Sequence, residues 1–144
     1  MDLFDRKFLI FSEDPVEGNT WIAQLTKTGV LETNLEMQNH NLVLKLQDKS
    51  YDACIILVGQ STSKLINTVL TAIRSNRLAS LVPVVVVTPG TGFEEIFEYY
   101  DNGANYVMRN PKRDQGAKEL CHILENLLVL LDKYLLGQDK RYLR

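Results

Sequence analysis

The sequence has few of the residues from which metal centres, disulfide frameworks and histidine-based active sites are built. Its 144 residues include two cysteines and two histidines. Cys54 and Cys121 each lie in an apolar run, which predicts buried thiols in a reducing compartment and no disulfide framework. His40 and His122 are far apart and have no cysteine or carboxylate at metal-ligand spacing. The pattern predicts no metal site, no cofactor and no catalytic triad.

Long hydrophobic runs and an excess of charge of one sign are also missing. The longest apolar stretches fall short of the ~20 residues needed to cross a bilayer, and residues 1–11 lack the layout of a secretory signal. The 16 Lys and Arg nearly balance the 18 Asp and Glu, which leaves a net charge of −2. Such a balance offers no general attraction for nucleic acid or an anionic membrane. We therefore expect a cytoplasmic protein that binds neither.

The sequence does have short apolar runs rich in β-branched residues, which alternate with segments of helical period. This alternation is typical of βαβ units around a parallel sheet. The length suits one buried core and is too short for two domains. We predict one domain over residues 1–136 and a short polar, basic tail at 137–144. Strands are predicted at residues 7–11, 35–37, 53–58, 83–88 and 106–108, and helices at 15–28, 42–46, 63–76, 93–101 and 114–136.

Capping and turn residues support several of these boundaries. Asp14 followed by Pro15 predicts an N-cap with proline in the first helical position. Gly29 predicts the end of that helix, and Ser63 is the predicted cap of the third helix. The segment Gly90-Thr91-Gly92 has two of the three glycines of a dinucleotide-binding turn, but the glutamates that follow would repel a phosphate, which favours a plain turn.

Four segments, in order, resemble the receiver domains of bacterial two-component response regulators, over roughly residues 7–136. They are KFLIFSEDP at 7–15, YDACII at 51–56, PVVVVT at 83–88, and GANY with the residues that follow it to Pro111. The resemblance implies a flavodoxin-like (CheY-like) α/β fold. This fold is a doubly wound sheet of five parallel strands in the order 2-1-3-4-5, with helices on both faces.

The position that matches the family's phosphoacceptor is Leu57. An alkyl side chain can neither attack phosphorus nor coordinate Mg²⁺. The family's acidic turn corresponds to Ser12, Glu13 and Asp14. Glu13 and Asp14 have two interpretations, either a residual Mg²⁺ site or an N-terminal cap and favourable dipole contact for the first helix.

The remaining family positions are also altered or ambiguous. Depending on the alignment, Arg109 or Asn110 stands where the family has lysine. Thr88 retains the hydroxyl that receives a phosphoryl oxygen in the family, although such a residue can equally bond local backbone. Tyr106 corresponds to the family's switching aromatic residue and could instead lie half buried with its hydroxyl in water.

Two surfaces are predicted to bind protein partners. In the resembling family the fourth helix, fifth strand and fifth helix form the partner-binding face, so Tyr99 and Tyr106 are predicted there. Tyr99 falls outside the apolar stripe Phe93, Ile96, Phe97 and Tyr100, which is predicted to pack on the core. The C-terminal helix is longer than the sheet it covers, so its apolar stripe predicts a homodimer, or a constitutive complex, held by Leu128, Leu131 and Leu135.

The resemblance and its departures together predict a pseudo-receiver, a signalling module that binds a protein partner without phosphorylation and is not an enzyme. The alternative is a small ligand- or nucleotide-binding domain that uses the crevice at the carboxyl ends of the strands. That crevice would be bounded by residues 12–14, 59–62 and 88–92. A third interpretation is a purely structural oligomerisation domain.

Overall fold

The computed structural model describes residues 5–30, 32–48, 50–90, 92–109, 111 and 115–142, with side chains described as far as Leu130. Five parallel strands form one sheet in the order β2-β1-β3-β4-β5, which confirms the predicted fold. The elements are β1 (Lys7–Phe11), α1 (Pro15–Lys27), β2 (Glu32–Glu36), α2 (Asn39–Gln47), β3 (Ala53–Leu57), α3 (Ser63–Ser75), a 3₁₀ turn (Ala79–Leu81), β4 (Val84–Thr88), α4 (Phe93–Asp101), β5 (Tyr106–Arg109) and α5 (Gly116–Tyr142).

The sheet is buried on both faces because its central strands are apolar at nearly every position. Alternate residues of β1, β3 and β4 point to opposite faces, so they belong to two separate cores. One core packs under α2, α3 and α4; the other packs under α1 and α5. The strand residues of the first core are Leu9, Phe11, Cys54, Ile56, Val84, Val86 and Val107. Those of the second are Phe8, Ile10, Ala53, Ile55, Leu57, Val85, Val87 and Met108.

Both cysteines are buried and free, as predicted. Burial raises the pKa of the Cys54 thiol to about 12, because a thiolate in the apolar sheet would lose its hydration, and the Arg74 charge offsets only part of this cost. Burial also raises the pKa of Cys121, which contacts the Thr28 hydroxyl at 3.4 Å. These thiols are packing residues.

Several boundaries differ from the predictions, among them the start of α2 at Asn39. Strand β2 begins at Glu32, three residues before the predicted start. The apolar pattern did not reveal these residues, because an edge strand with one neighbour tolerates polar side chains. Thr62, not Ser63, caps α3: its side chain accepts a hydrogen bond from the backbone N–H of Leu65. Helix α5 continues to Tyr142, beyond the predicted end at residue 136 and through most of the predicted tail.

Arg74 of α3 joins the segments that precede β4 and β5, an arrangement that the sequence pattern did not predict. Its guanidinium donates to the carbonyl oxygens of Gly103 (2.6 and 2.8 Å), Ser80 (2.8 Å) and Val82 (3.1 Å), and to Asn105 Oδ1 (2.7 Å). Burial lowers the pKa of Arg74. These bonds lie at the amino-terminal edge of the sheet, which leaves the opposite edge to carry the candidate site.

Within the described residues, no helix combines the length and the hydropathy required to span a membrane.

Candidate functional site

The carboxyl ends of β1, β3 and β4 meet at one edge of the sheet. Phe11 pairs with Ile56, Leu57 pairs with Val87, and Thr88 pairs with Arg109. The three turns that follow these strands are therefore neighbours. We call this region the carboxyl edge; in open α/β sheets it is where ligands usually bind.

Leu57 ends β3 at the centre of the carboxyl edge. Its side chain is 1% exposed and packs in the core shared with α1 and α5. The position expected to hold a phosphoacceptor is thus occupied by a buried alkyl group, which has no lone pair to offer phosphorus or a cation.

The turn after β1 is held by its own hydrogen bonds. Ser12 Oγ accepts from the backbone N–H of Asp14 at 3.1 Å and donates to the Asp14 carbonyl oxygen at 2.9 Å. Asp14 Oδ1 accepts from the backbone N–H of Val16 at 2.9 Å, so Asp14 caps α1. Glu13 accepts a 2.5 Å hydrogen bond from Ser61 Oγ, across a cleft of about 270 Å³ between the turns after β1 and β3. The capping interpretation of Asp14 is confirmed.

The oxygen atoms of this turn do not form a suitable set of ligands for a magnesium ion. Mg²⁺ demands near-octahedral oxygen coordination, usually through carboxylates and water. Here Asp14 caps a helix, Glu13 is bonded to Ser61, and Leu57 offers no oxygen. In the described part of the chain, no group of three His, Cys, Asp or Glu residues is arranged to hold a metal ion.

Thr88 and Arg109 lie side by side at the ends of β4 and β5. Thr88 is 2% exposed, and its Oγ1 accepts a hydrogen bond from the backbone N–H of Gly90 at 3.0 Å. This is the local backbone bond that its position allowed. The Arg109 guanidinium lies 5.4 Å from the ring centroid of Phe93 and so stacks on α4. Asn110, the other candidate for the lysine position, lies outside the described residues.

The aromatic residues of α4 have the reverse of their predicted environments. Tyr99 is fully buried, so its assignment to the partner surface is wrong. The prediction that three other aromatic residues pack on the core is also wrong, since they are exposed: Phe93 by 65%, Phe97 by 62% and Tyr100 by 41%. The reason is that α4 turns Ile96 and Tyr99 toward the core.

The outer surface of α4 and β5 consequently exposes aromatic rings among the carboxylates of Glu94, Glu95, Glu98 and Asp101. The Phe93 and Phe97 rings lie 6.4 Å apart and stack at 27°. The backbone N–H of Val107 donates to the Tyr100 hydroxyl at 3.0 Å, which ties this helix to the edge strand. Tyr106 is 41% exposed, as its predicted partner role requires.

Of the three leucines predicted to hold a dimer, Leu128 is 4% exposed and packs within its own core, so its assignment to an intermolecular contact is wrong. The side chains of Leu131 and Leu135 lie outside the described ones. Leu130, on the same helix, is 65% exposed.

A larger cleft of about 630 Å³ opens between α1 and the turns after β3, β4 and β5. It overlaps the crevice predicted at residues 12–14, 59–62 and 88–92, but the sequence pattern did not predict the wall contributed by α1 or the contribution of Pro111. Its α1 wall presents Glu17, Trp21 and Gln24, and Pro89 and Pro111 stand across from it. We call it the acidic groove; its described lining is Asp14, Val16, Glu17, Thr20, Trp21, Gln24, Gly59, Gln60, Val87, Pro89 and Pro111.

The structure resembles several solved structures, two of which are described as receiver domains. A CheY-like response regulator receiver domain from Methanospirillum hungatei has a TM-score of 0.69 and 14% identity, over 90% of this chain and 98% of its own. The receiver domain of a sensor histidine kinase from Pseudomonas aeruginosa, solved with magnesium in its active-site cleft, has a TM-score of 0.69 and 18% identity, over 85% and 97%. NtrX from Brucella abortus, solved with ADP, has a TM-score of 0.75 and 16% identity, over 94% of this chain and 29% of its own.

No family model and no curated protein matches the sequence. At identities of 14–18% the structural likeness establishes the receiver-domain fold. Because one fold supports many functions, the activity must be argued from the residues at the carboxyl edge and on the surface.

Proposed function

We propose that the chain is an atypical receiver domain, a pseudo-receiver that acts in signal transduction by binding a protein partner without being phosphorylated. The observation that carries this proposal is Leu57, a buried alkyl side chain at the phosphoacceptor position. We further propose that the domain is not an enzyme, because no carboxylate replaces the nucleophile at the end of β3.

The other parts of a phosphoryl-transfer site support the same proposal. Such chemistry needs a metal to neutralise the transferred group, a hydroxyl to receive its oxygen and a cation near the developing charge. Here the acidic turn caps α1, the Thr88 hydroxyl is bonded to Gly90, and Arg109 stacks on Phe93. Each group already has a structural partner, so a phosphoryl group would have to compete with all of them.

We place the partner surface on α4 and β5, with Phe93, Phe97 and Tyr106 as its centre and Arg109 at its rim. Exposed aromatic residues beside an arginine are the side chains that most often dominate binding energy at protein interfaces. This surface replaces the one predicted around Tyr99, which is inaccessible.

Intact-mass measurement after incubation with acetyl phosphate and Mg²⁺ tests the missing chemistry. We expect the mass of the chain to stay unchanged, under conditions that phosphorylate a receiver domain with an aspartate at the end of β3. A phosphoryl adduct labile to hydroxylamine would contradict the proposal, since it would reveal another acceptor carboxylate.

The partner surface is tested with the double variant Phe93→Ala plus Phe97→Ala. A tagged chain captures partners from the native host, mass spectrometry identifies them, and the affinity of the purified partner is then measured. We expect the double variant to weaken binding by at least about tenfold, as hot-spot aromatics do. Asn19→Ala, an exposed position on α1, is the matched control and should leave the affinity unchanged. Loss of binding in the control alone would move the interface to α1.

The alternative, a nucleotide in the carboxyl-edge crevice, is disfavoured by charge. Glu13, Asp14 and Glu17 surround the turn after β1. The carboxylate of Glu95 lies close to Gly90, and its Oε2 would be 3.2 Å from a Cβ added at this glycine. A phosphate at this edge would be repelled by all four. We expect ATP, ADP and flavin mononucleotide to leave the unfolding temperature unchanged.

A further inference from the structure

The acidic groove combines apolar walls with negative charge. Its described lining includes the apolar side chains of Val16, Trp21, Val87, Pro89 and Pro111, and its charged members are Asp14 and Glu17. Its volume of about 630 Å³ lies within the range of sites that hold organic ligands. The groove therefore suits a group with an apolar body and a positive end.

Among the described residues, no Lys or Arg forms an ion pair with either groove carboxylate, although Asp14 also caps α1. The ion pairs found elsewhere in the described chain, such as Arg6 with Asp52 and Lys45 with Glu36, involve neither Asp14 nor Glu17. Burial and the nearby charge of Asp14 raise the pKa of Glu17. A cation in the groove would relieve this repulsion and restore the solvation that Glu17 loses.

Trp21 supplies the aromatic wall and is held in place by the start of α5. Gly116 is buried, and a Cβ at this position would lie 3.0 Å from Trp21 Cη2 and 3.4 Å from the Pro111 ring. The indole thus lies against the backbone of α5 at Gly116, a position that has no side chain. An indole near two carboxylates is the arrangement that favours a cation, through attraction to the aromatic face and to the negative charges together.

We propose that the acidic groove binds a basic side chain, a guanidinium or ammonium on its aliphatic stem, presented by a partner polypeptide. Arginine and lysine side chains place their stems on apolar surface and their charged ends beside polar groups, which matches the walls and the charges of the groove. The exposed Val16 (73%) and Pro89 at the rim offer apolar contact to the residues that flank the inserted side chain. The groove lies on α1, so this inference does not depend on the surface of α4 and β5.

Fluorescence of Trp21 provides the test, because it is the only tryptophan in the sequence. The probe is acetyl-Gly-Arg-Gly-amide, compared with acetyl-Gly-Gln-Gly-amide and with free butylguanidine. We expect the arginine peptide to change the Trp21 emission saturably, with a dissociation constant of about 1 mM, and the glutamine peptide to have no effect. Added salt should weaken the binding, because the attraction is electrostatic.

The variant Glu17→Gln removes one groove charge and should weaken the arginine peptide about tenfold. Glu94→Gln makes the same charge change at the exposed start of α4 and should leave the affinity unaltered; circular dichroism confirms that both variants fold. No saturable change, an equal response to the glutamine peptide, or equal losses in the two variants would overturn the proposal. Binding of butylguanidine as tight as that of the peptide would overturn the assignment to a polypeptide and indicate a small-molecule cation instead.

Discussion

At the residue scale, Tyr99 shows how far the environment of a side chain depends on tertiary contacts. The ring is fully buried, and the hydroxyl has no hydrogen-bond partner in the described structure. Burial and the charges of Glu95 and Glu98 raise its pKa. The ring contributes packing, whereas the hydroxyl costs desolvation without a compensating bond.

We therefore predict that Tyr99→Phe leaves the free energy of unfolding unchanged or raises it by up to about 1 kcal/mol. Tyr99→Ala should lower it by about 3–5 kcal/mol, because it opens a cavity under α4. Urea denaturation measures both, with the exposed Tyr106→Ala as the control, expected within about 0.5 kcal/mol of wild type. A large decrease in the free energy of unfolding of Tyr99→Phe would contradict this, because it would show that the hydroxyl forms a stabilising hydrogen bond.

Glu36, at the end of β2, is a buried carboxylate whose ionised form is stabilised by its contacts. Burial opposes ionisation, but Lys45 Nζ at 2.8 Å and the backbone N–H of Gln38 at 2.8 Å outweigh it, so the pKa of Glu36 falls below its ordinary 4.5. A carboxyl whose pKa is lower in the folded state contributes stability above its unfolded pKa and loses it as the pH falls through the folded value.

Glu36→Gln should therefore destabilise the protein at pH about 7 and progressively less below pH about 4.5, where the wild type becomes protonated as well. Urea denaturation of both proteins across this range gives the difference. Glu32→Gln, on the same strand but half exposed and 3.9 Å from Lys7, should show little effect at any pH. A penalty for Glu36→Gln that does not depend on pH would contradict the assignment.

At the element scale, the two adjacent hydroxyl residues at the start of α3 have different roles. Thr62 has extended backbone angles and accepts from the Leu65 N–H at 3.2 Å, whereas Ser63 is already helical. We predict that Thr62→Ala lowers the free energy of unfolding by about 1 kcal/mol. Ser63→Ala should change it by less than about 0.5 kcal/mol. The reverse order in thermal or urea denaturation would restore Ser63 as the cap.

At the scale of the whole molecule, α5 is longer than the sheet can cover. Its 27 residues span about 40 Å, whereas a five-residue strand spans about 17 Å. Leu120, Leu124 and Leu128 pack on the sheet, and the sequence beyond them continues with Leu131, Tyr134 and Leu135. Burying one leucine stabilises by about 1.5–3 kcal/mol, so an intermolecular contact through this stretch would be favourable.

We predict a homodimer, or a constitutive complex, through the second half of α5, without the contribution first assigned to Leu128. Light scattering over a concentration series should give a mass above one chain for the wild type and one chain for Leu131→Asp plus Leu135→Asp. Asn126→Asp plus Gln138→Asp adds the same charge without removing a leucine and should retain the higher mass. A wild type that stays monomeric at high concentration would exclude the homodimer.

The sequence by itself determined the order of the elements and the residue type at the proposed phosphoacceptor position. Apolar runs, the Asp14-Pro15 start of α1 and the glycine at its end act within a few residues along the chain, so their patterns predict strands and helices directly. The absence of a nucleophile at Leu57 is a matter of residue type. It could be inferred once the four segments were aligned with receiver domains.

Only the tertiary structure decided which side chains are buried on α4, and that α1 and Pro111 join the turns of the predicted crevice to form the acidic groove. Helical spacing assigned Phe93 and Phe97 to the core, but the contacts of α4 with α3 and β5 turn Tyr99 inward instead. The acidic groove joins α1 to the turns after β3, β4 and β5. A local pattern describes the faces of one element. How far α4 is rotated, and how closely α1 approaches the turns at the end of the sheet, are set by packing between segments that are distant in sequence.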